Sequence, residues 1–221
     1  MPNWFPYRRK FNMQKIEPFD KFYSQYDNWF DKNKYAYKSE LLAIKKVLPS
    51  SKKSIEIGVG SARFASPLDI RIGIDPSKEM QKIAQKRGIL VLGAVAENLP
   101  FREAIFKFVL LVTTICFVEN INSVFREAYK ILKLKGSLII GFIEKNSNIG
   151  KLYKKRKKIN IFYKNASFYS VRKVIYYLKK TGFKDFEFYQ TIFHSLKEIN
   201  EVEPTKEGYG EGSFIVIKAI K

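Results

Sequence analysis

The sequence is poor in the residues that build metal centres, disulfides and acid–base triads. It holds one cysteine, Cys116, and one histidine, His194. A single cysteine excludes an intramolecular disulfide and a cysteine-based zinc site. A lone histidine leaves a Ser-His-Asp triad or a histidine-built metal site without partners. Cys116 lies in an apolar stretch and reads as a packed thiol rather than a nucleophile. His194 reads as structural or exposed. No apolar run approaches the ~20 residues of a membrane-spanning helix, and the N-terminus lacks the apolar core of a signal peptide. A cytoplasmic protein with no membrane partner is the expectation. Acids are also scarce: 21 Asp and Glu face 41 Lys and Arg, a net charge of +20. Such a field attracts polyanions, although lysine enrichment also follows from a lysine-rich proteome or life at high temperature. The 221 residues suffice for one α/β domain that buries most of its apolar surface.

A third glycine is missing from the most informative segment, Ile55–Ala65. There a short apolar strand carrying Glu56 runs into Gly58 and Gly60, and a helix start is expected after them. Paired glycines let backbone approach a ligand closely, and a helix N-terminus offers it free N–H groups. A dinucleotide fingerprint, G-x-G-x-x-G, needs glycine where Arg63 stands, so that reading fails. A second strand, Arg71–Ile74, ends at Asp75-Pro76-Ser77, with Asp75 seventeen residues after Gly58. This is near the spacing at which a carboxylate reaches ribose hydroxyls. Ser77 suits the cap of the next helix and Glu79 its first turn. A third strand, Ile89–Leu92, leads into Ala96-Glu97-Asn98-Leu99-Pro100-Phe101. The apolar run Phe108–Val112 reads as a central parallel strand buried on both faces. It ends at Thr113-Thr114. A helix from Ile121 to Leu132 and a fifth strand, Ser137–Phe142, follow.

Five such segments in this order resemble the class I S-adenosylmethionine (SAM)-dependent methyltransferases of the methyltransferase domain 11 type. The resemblance covers about residues 36–143. Glu56, Gly58 and Gly60 match the first motif, E/D-x-G-x-G-x-G, with Ala62 in place of its last glycine. The resemblance implies that Asp75 grips both ribose hydroxyls of SAM, with Pro76 beside it. It places Ala96 and Glu97 against the adenine ring. Thr113 and Thr114, at the carboxyl end of the fourth strand where ligands of open α/β sheets sit, should face the methyl-transfer region. Val95 stands where many members have Asp, and Lys107 where F-D-x is usual, which puts side-chain contacts to adenine in question. The implied fold is an α/β, Rossmann-like class I methyltransferase sandwich. Its seven-stranded, mostly parallel sheet has an antiparallel last strand and helices on both faces. One domain spans 1–221: an N-terminal helical lid (1–50), a SAM-binding core (51–143), and substrate-side loops with C-terminal strands (144–221).

Residues 1–14, rich in aromatics and arginine, are expected to be partly disordered. Amphipathic stretches at Glu17–Phe30 and Tyr37–Leu48 should form helices over the pocket, with Tyr26, Trp29, Tyr35 or Tyr37 closing it or merely docking them. Ser167 and Ser170 suit the cap of a helix ending near Thr181-Gly182. Asp185–Phe193 and Ser213–Ile220 read as the sixth and seventh strands. Two loops of opposite charge are expected above the sheet. Lys151–Lys158 carries six cations in eight residues, and Glu198, Glu201, Glu203, Glu207 and Glu211 lie in the other. Flanking the substrate entrance and pairing across it is one expectation; two solvated charge runs is the other.

The expected reaction is in-line methyl transfer to a small-molecule acceptor such as an amine. Nucleic acid is the alternative acceptor, and a non-catalytic SAM-binding protein a further one. Against nucleic acid, the N/D-P-P-[YFW] motif of base-amino methyltransferases is absent where Thr113-Thr114-Ile115-Cys116 stands. No residue is singled out as catalytic.

Overall fold

The computed structural model describes residues 13–221, with side chains from Lys15 onward. The expectation for the extreme N-terminus therefore lies outside the described residues. Three helices, α1 (Met13–Lys21), α2 (Tyr23–Lys32) and α3 (Lys34–Val47), precede the sheet. Two were expected. The chain breaks at Phe22 and Asn33, both of which leave helical geometry (ψ of 29° and 42°).

The remaining elements are, in order, β1 (Ser54–Ile57), β2 (Ile72–Ile74), α4 (Lys78–Lys86), β3 (Leu90–Leu92), β4 (Phe106–Val112), α5 (Ile121–Ile131), β5 (Leu132–Ile143), α6 (Asn148–Lys155), α7 (Val171–Thr181), β6 (Lys184–Thr191), β7 (Lys206–Glu207) and β8 (Phe214–Ile220). The sheet order is β3-β2-β1-β4-β5-β8-β6-β7. β1 to β5 are parallel, and β8 runs antiparallel between β5 and β6. The Rossmann-like sandwich is as expected. The eighth strand is β7, a two-residue edge pairing Glu207 and Lys206 with Tyr189 and Gln190.

β4 shows why a central strand reads as unbroken apolar sequence. Val109 and Leu111 join the core under α5 and α7, while Phe108, Leu110 and Val112 join the one under α3. Both faces are covered from Phe108 to Val112, so no polar position is left in that stretch; Lys107, nearer the strand's start, is exposed. The helices carry local signals. Ser77 accepts from Met80 N, and Asn120 from Asn122 N and Ser123 N. Ser170, not Ser167, caps α7, which ends at Gly182 in the left-handed region.

Two local expectations fail. Turns rather than an assigned helix connect β1 to β2, although Ser66 N still bonds Ala62 O and Leu68 N bonds Phe64 O. Ala62 and Asp69 have positive φ (63° and 55°), and Pro67 lacks an N–H, so a helix cannot propagate. The basic run is not a loop either. Most of it is α6, capped by Ser147, followed by a 3-10 turn at Lys157–Ile159. Its apolar Ile149 is buried and its Tyr153 stacks on Tyr163 at 4.7 Å. That spacing of four is helical, but the intervening lysines hide it. Among the described residues, no helix is long and apolar enough to cross a membrane.

Candidate functional site

A cavity of about 350 Å³ opens at the carboxyl ends of β1, β2, β3 and β4, where ligands of open α/β sheets bind. Seven of the eight residues singled out from sequence line it: Gly58, Gly60, Asp75, Pro76, Ala96, Glu97 and Thr113. Glu56 does not. Its carboxyl is 1% exposed, and one oxygen has no partner among the described residues. Burial pushes this carboxyl well above the usual range, against the backbone hydrogen bond from Ala65. Glu56 therefore sits beneath the glycine turn and braces it.

The turn is anchored from below, since Gly58 N and Val59 N both donate to Ile74 O at 2.9 Å. Gly58 (φ +70°) leaves no room for a side chain: a Cβ would lie 2.5 Å from the Thr114 methyl and 2.6 Å from its hydroxyl. That hydroxyl is held in turn by donating to Ile57 O and Val112 O. Gly60 (φ +52°) differs, because its Cβ would meet only the Tyr26 ring, 3.8 Å away. Gly60 thus keeps backbone bare at the cavity wall. The Asp75 carboxylate accepts from Gly60 N (2.8 Å) and Ser77 N (2.9 Å). Burial pushes it up to about 6, opposed by those two hydrogen bonds. Thr113 is a β-branched residue at φ 54°, held by its N–H to Gly141 O at 2.8 Å. Such strain is uncommon and concentrates at functional positions.

Glu97 lines the cavity, but its side chain is engaged, accepting from Glu119 N at 2.6 Å. It ties the segment after β3 to the one before α5. Lys107 stands exposed near the start of β4, at the opposite end from the cavity. Its departure from the usual motif touches nothing in the site. Val95 does line the cavity.

Helix α1 closes the front. Lys15 Nζ donates to Val118 O (2.7 Å) on one side. On the other, Asp20 accepts from Ser77 Oγ (2.7 Å) at the start of α4. Phe19 and Tyr26 add ring surface, edge to face at 5.4 Å. Of the four aromatics considered for closure, Tyr26 alone lines the cavity. Trp29 packs on Phe30, Tyr37 donates to Arg63 O, and Tyr35 lies under Lys34.

Arg63, which excluded the dinucleotide reading, is a latch. It donates to Asp27 and Asp31 of α2, and Arg87 donates to Asp27 and Ser61 O. Burial works against the Asp27 charge, yet hydrogen bonds from Arg87 and Arg63 outweigh it and hold the carboxyl far below its usual range.

The acidic segment is built into the fold rather than set opposite the cations. Glu203 is buried, accepts from Phe193 N, His194 N and His194 Nδ1, and through its own N–H bonds Ser39 Oγ. Glu211 pairs with Lys206. No ion pair among the described residues joins this segment to α6. His194 is exposed, and Cys116 donates to Thr113 O, its thiol pushed up to about 12 by burial. No cluster of potential metal ligands occurs among the described residues.

Residues 55–140 match the family model described as a methyltransferase domain. An uncharacterized protein of Methanocaldococcus jannaschii is 48% identical over 92% of this chain and 98% of its own length. A crystal structure of a SAM-dependent methyltransferase, "possible histamine N-methyltransferase", from Thermotoga maritima is 47% identical. It covers 93% of this chain and 99% of that one, with a TM-score of 0.91. Haemonchus contortus phospholethanolamine N-methyltransferase 2, in complex with phosphomonomethylethanolamine and S-adenosylhomocysteine, shares the fold at 17% identity. Its TM-score is 0.61, over 83% of this chain and 52% of that one.

Proposed function

Because the chain belongs to the SAM-dependent methyltransferases, we propose that its cavity holds SAM through the residues that line it and that the methyl acceptor is a small amine. The observation that carries the cofactor placement is the pairing of a bare-backbone glycine turn with a buried, part-satisfied carboxylate. Gly60 leaves its wall open and Asp75 lies beside it, each oxygen accepting one N–H. A carboxylate oxygen has a second lone pair, so Asp75 can also accept from two adjacent ribose hydroxyls. Ala96 and the Glu97 backbone offer a flat wall for adenine beside Val95.

SAM supplies a sulfonium-activated methyl group, so the chain's own work is alignment and exclusion of water. Thr113 and Thr114 fix the floor at the end of β4. Phe19, Tyr26 and the Lys15 and Asp20 contacts close the front. No general base is required for an acceptor nitrogen that arrives unprotonated.

An amine acceptor is supported by the likeness to the Thermotoga maritima protein and by the aromatic enclosure of the cavity's front. One observation favours nucleic acid instead: a cationic surface from Lys151 to Lys158, next to Ile159 at 82% exposure. Methyl-labelled SAM, offered to the nuclease-treated enzyme with histamine, other small amines and RNA in separate reactions, decides between them. Label in an amine is expected. Label in RNA alone would transfer the assignment to the second reading.

A further inference from the structure

The longest stretch of the sequence without an acid, residues 145–184, contains thirteen Lys or Arg. Six of these cations fall in residues 151–158, in α6 and the 3-10 turn after it. Among the described residues, none of the six makes a side-chain hydrogen bond or an ion pair. Their charge is therefore uncompensated within the fold.

The inner side of this segment is taken up by packing. Ile149 is buried, Tyr153 stacks on Tyr163, and Tyr163 stacks on Phe117. Phe162 meets both Phe19 and Tyr26, at 5.5 and 5.6 Å. The outer side has no such partner. There Ile159 is 82% exposed, and Leu152 and Ile161 are exposed as well, interleaved with the cations. An aliphatic side chain left in water adds little to the fold, and several together mark an interaction surface.

The chemistry of this surface discriminates among polyanions. Single-stranded nucleic acid is gripped by aromatic faces on which bases stack, and by arginine forks that fit phosphates and base edges. Here Tyr153, Phe162 and Tyr163 pack against other rings, and five of the six cations are lysine. Lysine with isoleucine and leucine is what remains outside. That combination complements a partner that is anionic at its surface and apolar just beneath. An anionic bilayer is layered in this way: lysines meet the lipid phosphates while aliphatic side chains enter the acyl boundary. The lack of a spanning helix among the described residues concerns passage through a bilayer, not attachment to its face.

We propose that residues 151–161 dock the protein on an anionic lipid bilayer through the six cations and the side chains of Leu152, Ile159 and Ile161. α6 follows the carboxyl end of β5, so the docked surface lies at the same end of the sheet as the cavity. The attachment does not depend on the cofactor placement.

The test is cosedimentation of the full chain with vesicles at about 0.15 M salt. The vesicles are phosphatidylcholine alone or an equal mixture with phosphatidylglycerol. Binding to the mixture, and not to phosphatidylcholine alone, is expected. Lys154→Glu/Lys155→Glu/Lys158→Glu should weaken it by at least about tenfold, because each lysine held near an anionic surface adds to the attraction. Lys45→Glu/Lys46→Glu/Lys52→Glu reverses the same charge at the end of α3 and just before β1, the opposite end of the sheet. It should weaken binding by less than about threefold, since screening confines the attraction to charges near the lipid. Ile159→Trp, in an otherwise unchanged chain, reads the apolar contribution. Its added emission should move to shorter wavelength on the mixed vesicles and stay in place on a single-stranded RNA. Three outcomes overturn the proposal: no binding to the mixed vesicles, equal losses in the two charge-reversed proteins, or emission from Trp at position 159 that the vesicles leave unmoved. Binding to the RNA with none to the vesicles assigns the surface to nucleic acid instead.

Discussion

At the scale of single residues, the two glycines of the turn have different duties that substitutions should separate. At Gly58 a methyl group collides with Thr114 and the backbone is left-handed. Gly58→Ala should cost about 2–4 kcal/mol of stability, the sum of strain and overpacking, visible in denaturant unfolding. Gly60→Ala has space for its methyl. It should cost about 1–2 kcal/mol for the backbone and weaken cofactor binding disproportionately. Asp75 carries a pH signature. Its free-state value is raised to about 6, and ribose hydroxyls donating to the carboxylate would lower it in the complex. The complex then releases a proton on forming below pH 6. Cofactor affinity should accordingly be flat above about 6 and fall up to tenfold per unit below it. Asp75→Asn should remove that dependence and lose about 10- to 100-fold in affinity, the worth of charge-assisted hydrogen bonds. Equilibrium titrations from pH 5 to 8 read both effects. Ala62 shows why a departure from the family motif is harmless. Its φ of 63° strains an alanine, but its methyl is fully buried, and the two contributions are of similar size and opposite sign.

Among elements, α1 and α2 are fastened to the core by polar latches in addition to the rings of Phe19, which meets Phe117, and Phe30, which meets Phe64. Asp27 joins α2 to both Arg63 and Arg87. Its carboxyl is depressed, so this contribution is present above its unfolded value of about 4 and fades as pH falls below it. At neutral pH, Asp27→Asn should cost about 2–3 kcal/mol, less than a fully buried pair would, and thermal unfolding at pH 7 and pH 3 should show the gap closing. Among the described residues, Lys15 and Asp20 alone give α1 side-chain hydrogen bonds to the core. Asp20→Ala should speed release of S-adenosylhomocysteine in stopped-flow experiments with little change in melting temperature.

The same scale shows what could be read in advance. Strands and their order were legible because parallel strands buried on both faces are unbroken apolar runs. The site was legible because Gly58, Gly60 and Asp75 are local signals. Arg63 excluded one cofactor, but its latching role needed Asp27 and Asp31 from a distant helix. α6 was obscured because lysines fill its exposed face, and the β1–β2 connection because positive φ at Ala62 and Asp69 is not written in residue type.

Over the whole molecule, the basic run of α6 and the lining of the cavity belong to different surfaces. The basic run of α6 faces solvent, whereas the cavity presents Asp75, bare backbone and aromatic rings. The acidic segment after β6 stabilises the far edge of the sheet through Glu203 and Gln190. Net charge therefore says little about the ligand held inside. The central claim is that this cavity binds SAM through the Gly60–Asp75 pair. Calorimetric titration of S-adenosylhomocysteine into wild type, Gly60→Ala and Asp75→Asn tests it most directly. One site per chain, weakened at least tenfold by either substitution in proteins that remain folded, is the result the structure leads us to expect. No binding to wild type at sub-millimolar concentration, or affinities indifferent to both substitutions, would contradict it.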